Sequence, residues 1–291
     1  MIRRFMILLL VMACCVWPAF AEPVLIDPFA DQPAAAMTEL LAARLSEMLG
    51  RDVPVLHEND ETEAVKTFFA QPDGDALLLL TPNALVYSLQ GLMPQDLRTE
   101  VVPVSGIARS GSLFYVSPET ASLIPDLTMD SLASYTEEKP YEIALLRTMD
   151  AGYDDSLSIQ ATGDFYLDEE FYSDYAEMEQ ALQDGQSGIA VFSSAELPAE
   201  LQSFVPACDT GIPGVWIGIF VSAESPEGFR DEISACIQAV CESSEWIQYV
   251  NELGYTASPC SDPEAFRQLV EDETAMLISY LTTEGLFFYE W

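Results

Sequence analysis

The chain has 291 residues, 49% of them hydrophobic, which is enough for one large or two medium domains with a full core and excludes disorder as the default. Its 11 Lys+Arg stand against 48 Asp+Glu, a formal charge of −37. Such a surface lacks the basic patches that nucleic acid and anionic membranes require, so neither is an expected partner.

Residues 1–21 carry Arg3-Arg4, an apolar run from Phe5 to Val16 and the small-residue site Ala19-Phe20-Ala21. This is the pattern of a secretory signal whose apolar core is shorter than a membrane span, and it predicts export of the chain from Glu22 onward. Within it, Val11-Met12-Ala13-Cys14 offers an alternative, a lipid anchor on Cys14 at the cell surface.

From Glu22 to Leu80 strand and helix signals alternate. Glu22–Asp27 reads as a strand. Ala36–Gly50 reads as a helix with Leu40, Leu41, Leu45 and Met48 inward and a glycine at its end. Val53–Leu56 is the next strand, Glu63–Ala70 the next helix, Pro72-Asp73-Gly74 a turn and Ala76–Leu80 an apolar strand. This βαβαβ order predicts a parallel sheet covered by helices on both faces. Thr81–Gln90 is a short helix. Val101–Val116 holds two strand-like runs split at Arg109–Ser112, and Tyr141–Leu146 and Gly188–Phe192 are strands around a helix at Glu177–Gln183.

The stretch from Gly211 to Leu281 carries the clearest signals. A buried strand, Val215–Val221, leads into Ser225-Pro226, a helix start in which proline suits the first helical position. Phe229, Ile233, Cys236, Ile237 and Val240 then recur at helical spacing. A short helix, Glu245–Leu253, is closed by Gly254, and Asp262-Pro263 begins a long helix with Phe266, Leu269, Val270, Leu277 and Tyr280 inward. In an oxidising compartment the even set Cys208, Cys236, Cys241 and Cys260 favours disulfides. Cys236 and Cys241 point roughly 140° apart on one helix, so the expectation is that one reaches Cys208 and the other Cys260.

The order of these C-terminal pieces, Gly211-Ile212-Pro213-Gly214, Trp216–Phe220, Ser225-Pro226, Leu253-Gly254 and Asp262-Pro263-Glu264-Ala265-Phe266, resembles the extracytoplasmic substrate-binding proteins of tripartite tricarboxylate transporters, the Bug-type receptors. Arg44–Gly50 and Pro72–Leu79 resemble the same family's "KLSEKLG" and "PDGYTLLL". The resemblance implies an α/β, two-lobed periplasmic-binding-protein-like (type II) fold with the ligand cleft between the lobes. Lobe 1 would comprise residues 22–108 and 222–291, and lobe 2 residues 109–221. It also implies a monomeric receptor that delivers a small carboxylate to integral membrane permease subunits, with no cofactor.

The family cradles its ligand with glycine-rich loops, and here those loops differ. Ala30–Ala35 stands where the family has "PGGGTD", so Asp31 and Pro33 replace glycines and Ala35 the aspartate. Asn59–Glu63 is a shortened second loop without glycine, and Leu145–Gly152 replaces "YGSSGVGSSSH". Two ligand sets follow. For an acid, Arg147 supplies a charged fork, with Thr148 and Thr81 donating hydroxyl bonds. For a neutral or cationic ligand, Asp31, Asp150 and Tyr172 face it. Gln32, Asn83 and Ser193 complete the polar side chains on the ligand-facing loops.

No enzyme constellation is present in the sequence. The single histidine, His57, has no Gly-x-Ser-x-Gly partner motif and cannot make a clustered zinc site, so it is expected to be an ordinary strand-end residue. Walker, Gly-x-Gly-x-x-Gly and EF-hand patterns are also missing, so no catalytic residue, metal or cofactor is expected. The competing function is a receptor-like fold with altered or lost ligand binding, acting as a lipid-anchored sensor or interaction module.

Overall fold

A computed structural model describes residues 23–30, 33–71, 75–109, 114–124, 131–132, 134–135, 141–146, 167–172, 175–191, 205–206, 215–257, 262–283 and 285. In chain order the first elements are β1 (Leu25–Asp27), α1 (Pro33–Leu49), β2 (Val55–His57), α2 (Glu61–Phe69), β3 (Leu77–Leu80), α3 (Pro82–Leu89), α4 (Leu97–Glu100) and β4 (Val101–Arg109). They are followed by β5 (Phe114–Val116), α5 (Pro118–Ala121), β6 (Tyr141–Leu146), β7 (Leu167–Tyr172), α6 (Tyr175–Gln183), β8 (Ile189–Val191) and β9 (Val205–Pro206). The chain closes with β10 (Trp216–Ser222), α7 (Glu227–Cys241), α8 (Ser244–Glu252), β11 (Thr256–Ala257) and α9 (Pro263–Thr283).

These strands form two sheets. The first has six strands in the order β11-β4-β10-β3-β1-β2, the second five in the order β7-β6-β8-β5-β9. The expected parallel core is present in β2-β1-β3, but β10 runs antiparallel to both β3 and β4, so the first sheet is mixed. Trp216–Val221, assigned from sequence to the end of lobe 2, is hydrogen-bonded inside the first sheet, because its apolar residues on both faces need cover from both helix layers.

Side-chain alternation decides which helix covers which face. Leu25, Leu77, Leu79, Ile217, Ile219 and Val221 point to one side and pack with Met37, Leu41 and Leu45 of α1, Phe229 and Ile233 of α7 and Trp246 of α8. Ile26, Leu78, Leu80, Trp216 and Phe220 point to the other and pack with Val65 and Phe68 of α2, Leu85 of α3 and Phe266 and Val270 of α9. Gly218 shares the parity of Trp216 and Phe220. A Cβ there would overlap the Phe266 ring, so the glycine is what lets α9 lie directly on the sheet. Phe266 in turn meets Trp216 and Phe220 edge-on, with ring centroids 5.4 and 5.9 Å away.

Other expectations are corrected locally. Met48 is 49% exposed, because Met37, Leu41, Ala42 and Leu45 already fill the inward stripe of α1. Pro226 is the N-cap of α7 and not its first helical residue, and it makes no side-chain cap bond. Cys236 and Cys241 are free thiols here, and the partners expected for them, Cys208 and Cys260, lie outside the described residues. Cys241 is turned into the α1–α7–α8 core, and burial pushes its thiol up to about 12. Cys236 packs against the edge of the same core.

Candidate ligand-binding site

Strands β1, β2 and β3 are parallel, so their carboxyl ends, Asp27, His57 and Leu80, share one edge of the sheet. Beyond those ends begin α1, α2 and α3. This is where open α/β sheets hold ligands, because strand-end loops and helix N-termini present free N–H groups there.

In this chain two buried carboxylates occupy such groups. Asp27 is fully buried and its carboxylate accepts the Phe29 N–H at 2.9 Å, turning the chain out of β1. It also lies 2.7 Å from His57 Nδ1, because parallel register sets Asp27 beside His57. His57 Nε2 is 2.8 Å from the Glu39 carboxylate on α1. A neutral imidazole has one N–H, so contact with two carboxylates calls for an added proton. The shifts agree. Burial raises the Asp27 pKa, against the Phe29 and His57 bonds that lower it. Burial alone would lower His57, but the bonds to Glu39 and Asp27 outweigh it and its pKa is raised.

The second carboxylate is Glu61, 8% exposed at the first position of α2. One oxygen accepts both the Thr81 backbone N–H at 2.7 Å and the Thr81 hydroxyl at 2.8 Å. Thr81 caps α3 by accepting the Asn83 N–H, so Glu61 sits at the start of that helix, where its dipole favours an anion. The hydroxyl expected to serve a ligand is therefore donated to Glu61. Asn83 lies in the first turn of α3 and is 6% exposed.

A third acid, half-buried, lies at the same edge. Trp216 is in register with Arg109, so the start of β10 and the end of β4 meet there, where the chain leaves the first sheet and returns to it. Glu273 of α9 accepts the Trp216 indole N–H. Burial raises its pKa, opposed by that bond and by the Arg109 charge.

Of the remaining sequence candidates, Tyr172 ends β7 beside Leu146 of β6 in the second sheet and is 6% exposed. Asp31, Gln32, Arg147, Thr148, Asp150 and Ser193 lie outside the described residues, as do Cys14, Cys208 and Cys260. Sequence reasoning missed Asp27, Glu61 and the pairing of His57. The available signal was an acid or a histidine as the last residue of adjacent apolar strands. Among the described residues no group of three or more His, Cys, Asp or Glu side chains could hold a metal. Nor is any described helix long and apolar enough to cross a membrane.

The two sheets with their helix layers have the fold of periplasmic solute-binding proteins. No family model and no curated protein matches the chain. Among solved structures it is similar to a TctC solute-binding protein from Polaromonas, with a TM-score of 0.68 and 12% identity over 92% of this chain and 100% of that one. It is also similar to an adipate-bound protein of R. palustris, with a TM-score of 0.63 and 19% identity over 92% and 98%. A third is MatC from Rhodopseudomonas palustris with bound malate, at 0.59 and 18% over 91% and 100%.

Proposed function

We propose that the protein is an exported, Bug/TctC-type solute receptor that closes on a small organic carboxylate and hands it to a membrane permease without chemical change. The observation that carries this is the whole-length match to solute-binding proteins, two of them holding dicarboxylates, at 91–92% of this chain. Its two lobes run, as read from the sequence, over residues 22–108 with 222–291 and over 109–221, with β10 reassigned to the first. Arg147 and Thr148, which follow β6, are the proposed contacts to the acid.

A second reading, a neutral or cationic ligand, is favoured by one feature. Asp27 and Glu61 already occupy N–H groups at the carboxyl ends of β1 and β3, so donors that would hold an anion at this edge are taken.

Thermal unfolding of residues 22–291 against dicarboxylates, citrate, aromatic acids, amino acids and polyamines separates the two. A ligand at a hundred times its Kd adds about 2.7 kcal/mol, a shift of several degrees. Stabilisation by a carboxylate that Arg147→Ala abolishes supports the first reading. Stabilisation by amines alone supports the second, and no response from any class leaves the interaction module as the surviving function.

A further inference from the structure

The amino ends of the first sheet hold a cavity of about 530 Å³, within the range of pockets that bury small organic ligands. Register sets its floor toward the edge opposite the strand ends described above: Val101–Pro103 open β4, with Val101 about 27 Å before Arg109, and Phe220 lies four residues, about 14 Å, past Trp216 at roughly 3.4 Å per residue. Leu85, Val270 and Ile278 complete an apolar interior.

Three arginines stand around it, Arg98, Arg230 and Arg267, with a single lining carboxylate, Glu271. That concentration is unexpected in a chain with 48 acidic and 11 basic residues. Arg98 is forked onto Asp96 and Arg267 is paired with Glu264. Arg230, half-buried on the first turn of α7, makes no ion pair among the described residues. A guanidinium beside an apolar cavity recognises a carboxylate that brings an apolar body with it, because the charge-assisted fork orients the head while the chain fills the interior.

We propose that this cavity is a second binding site, separate from the inter-lobe cleft, for a small amphipathic monocarboxylate whose alkyl body lies on Phe220 and Val101 and whose head is held by Arg230. Calorimetric titration of the full-length protein with sodium octanoate tests it, with octylammonium as the control of opposite charge. One octanoate should bind per chain and octylammonium none. Arg230→Gln should weaken octanoate at least tenfold. Ala275→Trp, placed on an exposed position of α9 that lines the cavity, should abolish binding while the circular dichroism spectrum and melting temperature stay those of the parent. Absence of octanoate heat at millimolar concentration, equal binding of octylammonium, or an affinity that neither variant changes would overturn the proposal. The cleft reading fails separately, by loss of the dicarboxylate panel's response, which Ala275→Trp should leave untouched.

Discussion

The two ends of the first sheet treat charge in opposite ways. At the carboxyl ends of β1 and β3, acids are inside the protein: Asp27 is fully buried and Glu61 is 8% exposed, each accepting backbone N–H groups. At the amino ends, arginines gather around an apolar cavity, and Asp96 stands beside Arg98 within reach of solvent. The difference teaches that a net charge of −37 describes solubility and says little about sites. What an acid does here depends on whether burial or a cation dominates its surroundings.

The largest expected effect comes from emptying the start of α3. Glu61→Ala leaves the buried Thr81 N–H and hydroxyl without their acceptor and should destabilise the protein by about 2–4 kcal/mol in urea unfolding. Glu61→Gln keeps an acceptor oxygen, should cost under about 1.5 kcal/mol, and removes the negative charge. If internal carboxylates are what discourage anions at this edge, the Gln variant should show a larger thermal shift with dicarboxylates than the parent. An unchanged or smaller shift would mean that Glu61 supports the ligand loops without repelling the ligand.

Asp27 and His57 carry the next effect, through pH. Both pKa values are raised in the folded chain, so folding takes up protons. The stability linked to Asp27 is complete below the unfolded carboxyl pKa near 3.9 and is lost as pH rises through its folded value; that linked to His57 is complete below about 6.5 and is lost in the same direction. Melting temperatures measured from about pH 4 to about pH 8 should fall, and should fall less in Asp27→Asn, which keeps an oxygen for the Phe29 and His57 N–H groups. A parent profile that rises across this window would contradict the assignment.

How much of this was legible beforehand follows from the range of each interaction. Helix starts and stops are local, so Thr81 and Gln90 bounding α3, Gly254 closing α8 with φ of 84° and Asp262 capping α9 through the Ala265 N–H could be read directly. Strand membership is not local. Trp216–Ser222 was recognisable as a strand, but its place between β3 and β4 depends on partners more than a hundred residues earlier. The site was least legible. His57 looked like an ordinary strand end because nothing within its own segment reveals Asp27 or Glu39, which reach it through strand register and through α1. The glycine loops of the family that the sequence resembles gave a template for anion binding, and their replacement was visible, but not that Asp27 and Glu61 would turn inward. The cysteine count is local only in part: spacing put Cys241 on the core face of α7, where it packs among apolar side chains, whereas a partner for it would come from a distant segment.

The smallest effect is the sharpest test of the contrast, because it uses the same side chain with the opposite sign. Asp96 caps α4 through the Arg98 N–H and grips the Arg98 guanidinium at 2.8 and 2.6 Å. The side-chain bond to Arg98 dominates over burial and lowers the Asp96 pKa. Its stability is therefore present above the unfolded pKa near 3.9 and is lost as pH falls through the folded value, the reverse of Asp27. Asp96→Asn retains a capping oxygen, so at neutral pH the variant should be destabilised by no more than about 1 kcal/mol, the range of a partly exposed pair. That gap should close as the pH is taken below about 3, where parent and variant carry the same neutral side chain. Asp27→Asn should diverge from the parent as pH rises, and Asp96→Asn should converge on it as pH falls. Two variants with parallel pH profiles would mean that one environment governs both ends of the sheet. The Asp96 variant also releases Arg98 toward the cavity, so its octanoate affinity should rise modestly if that cavity takes an anion.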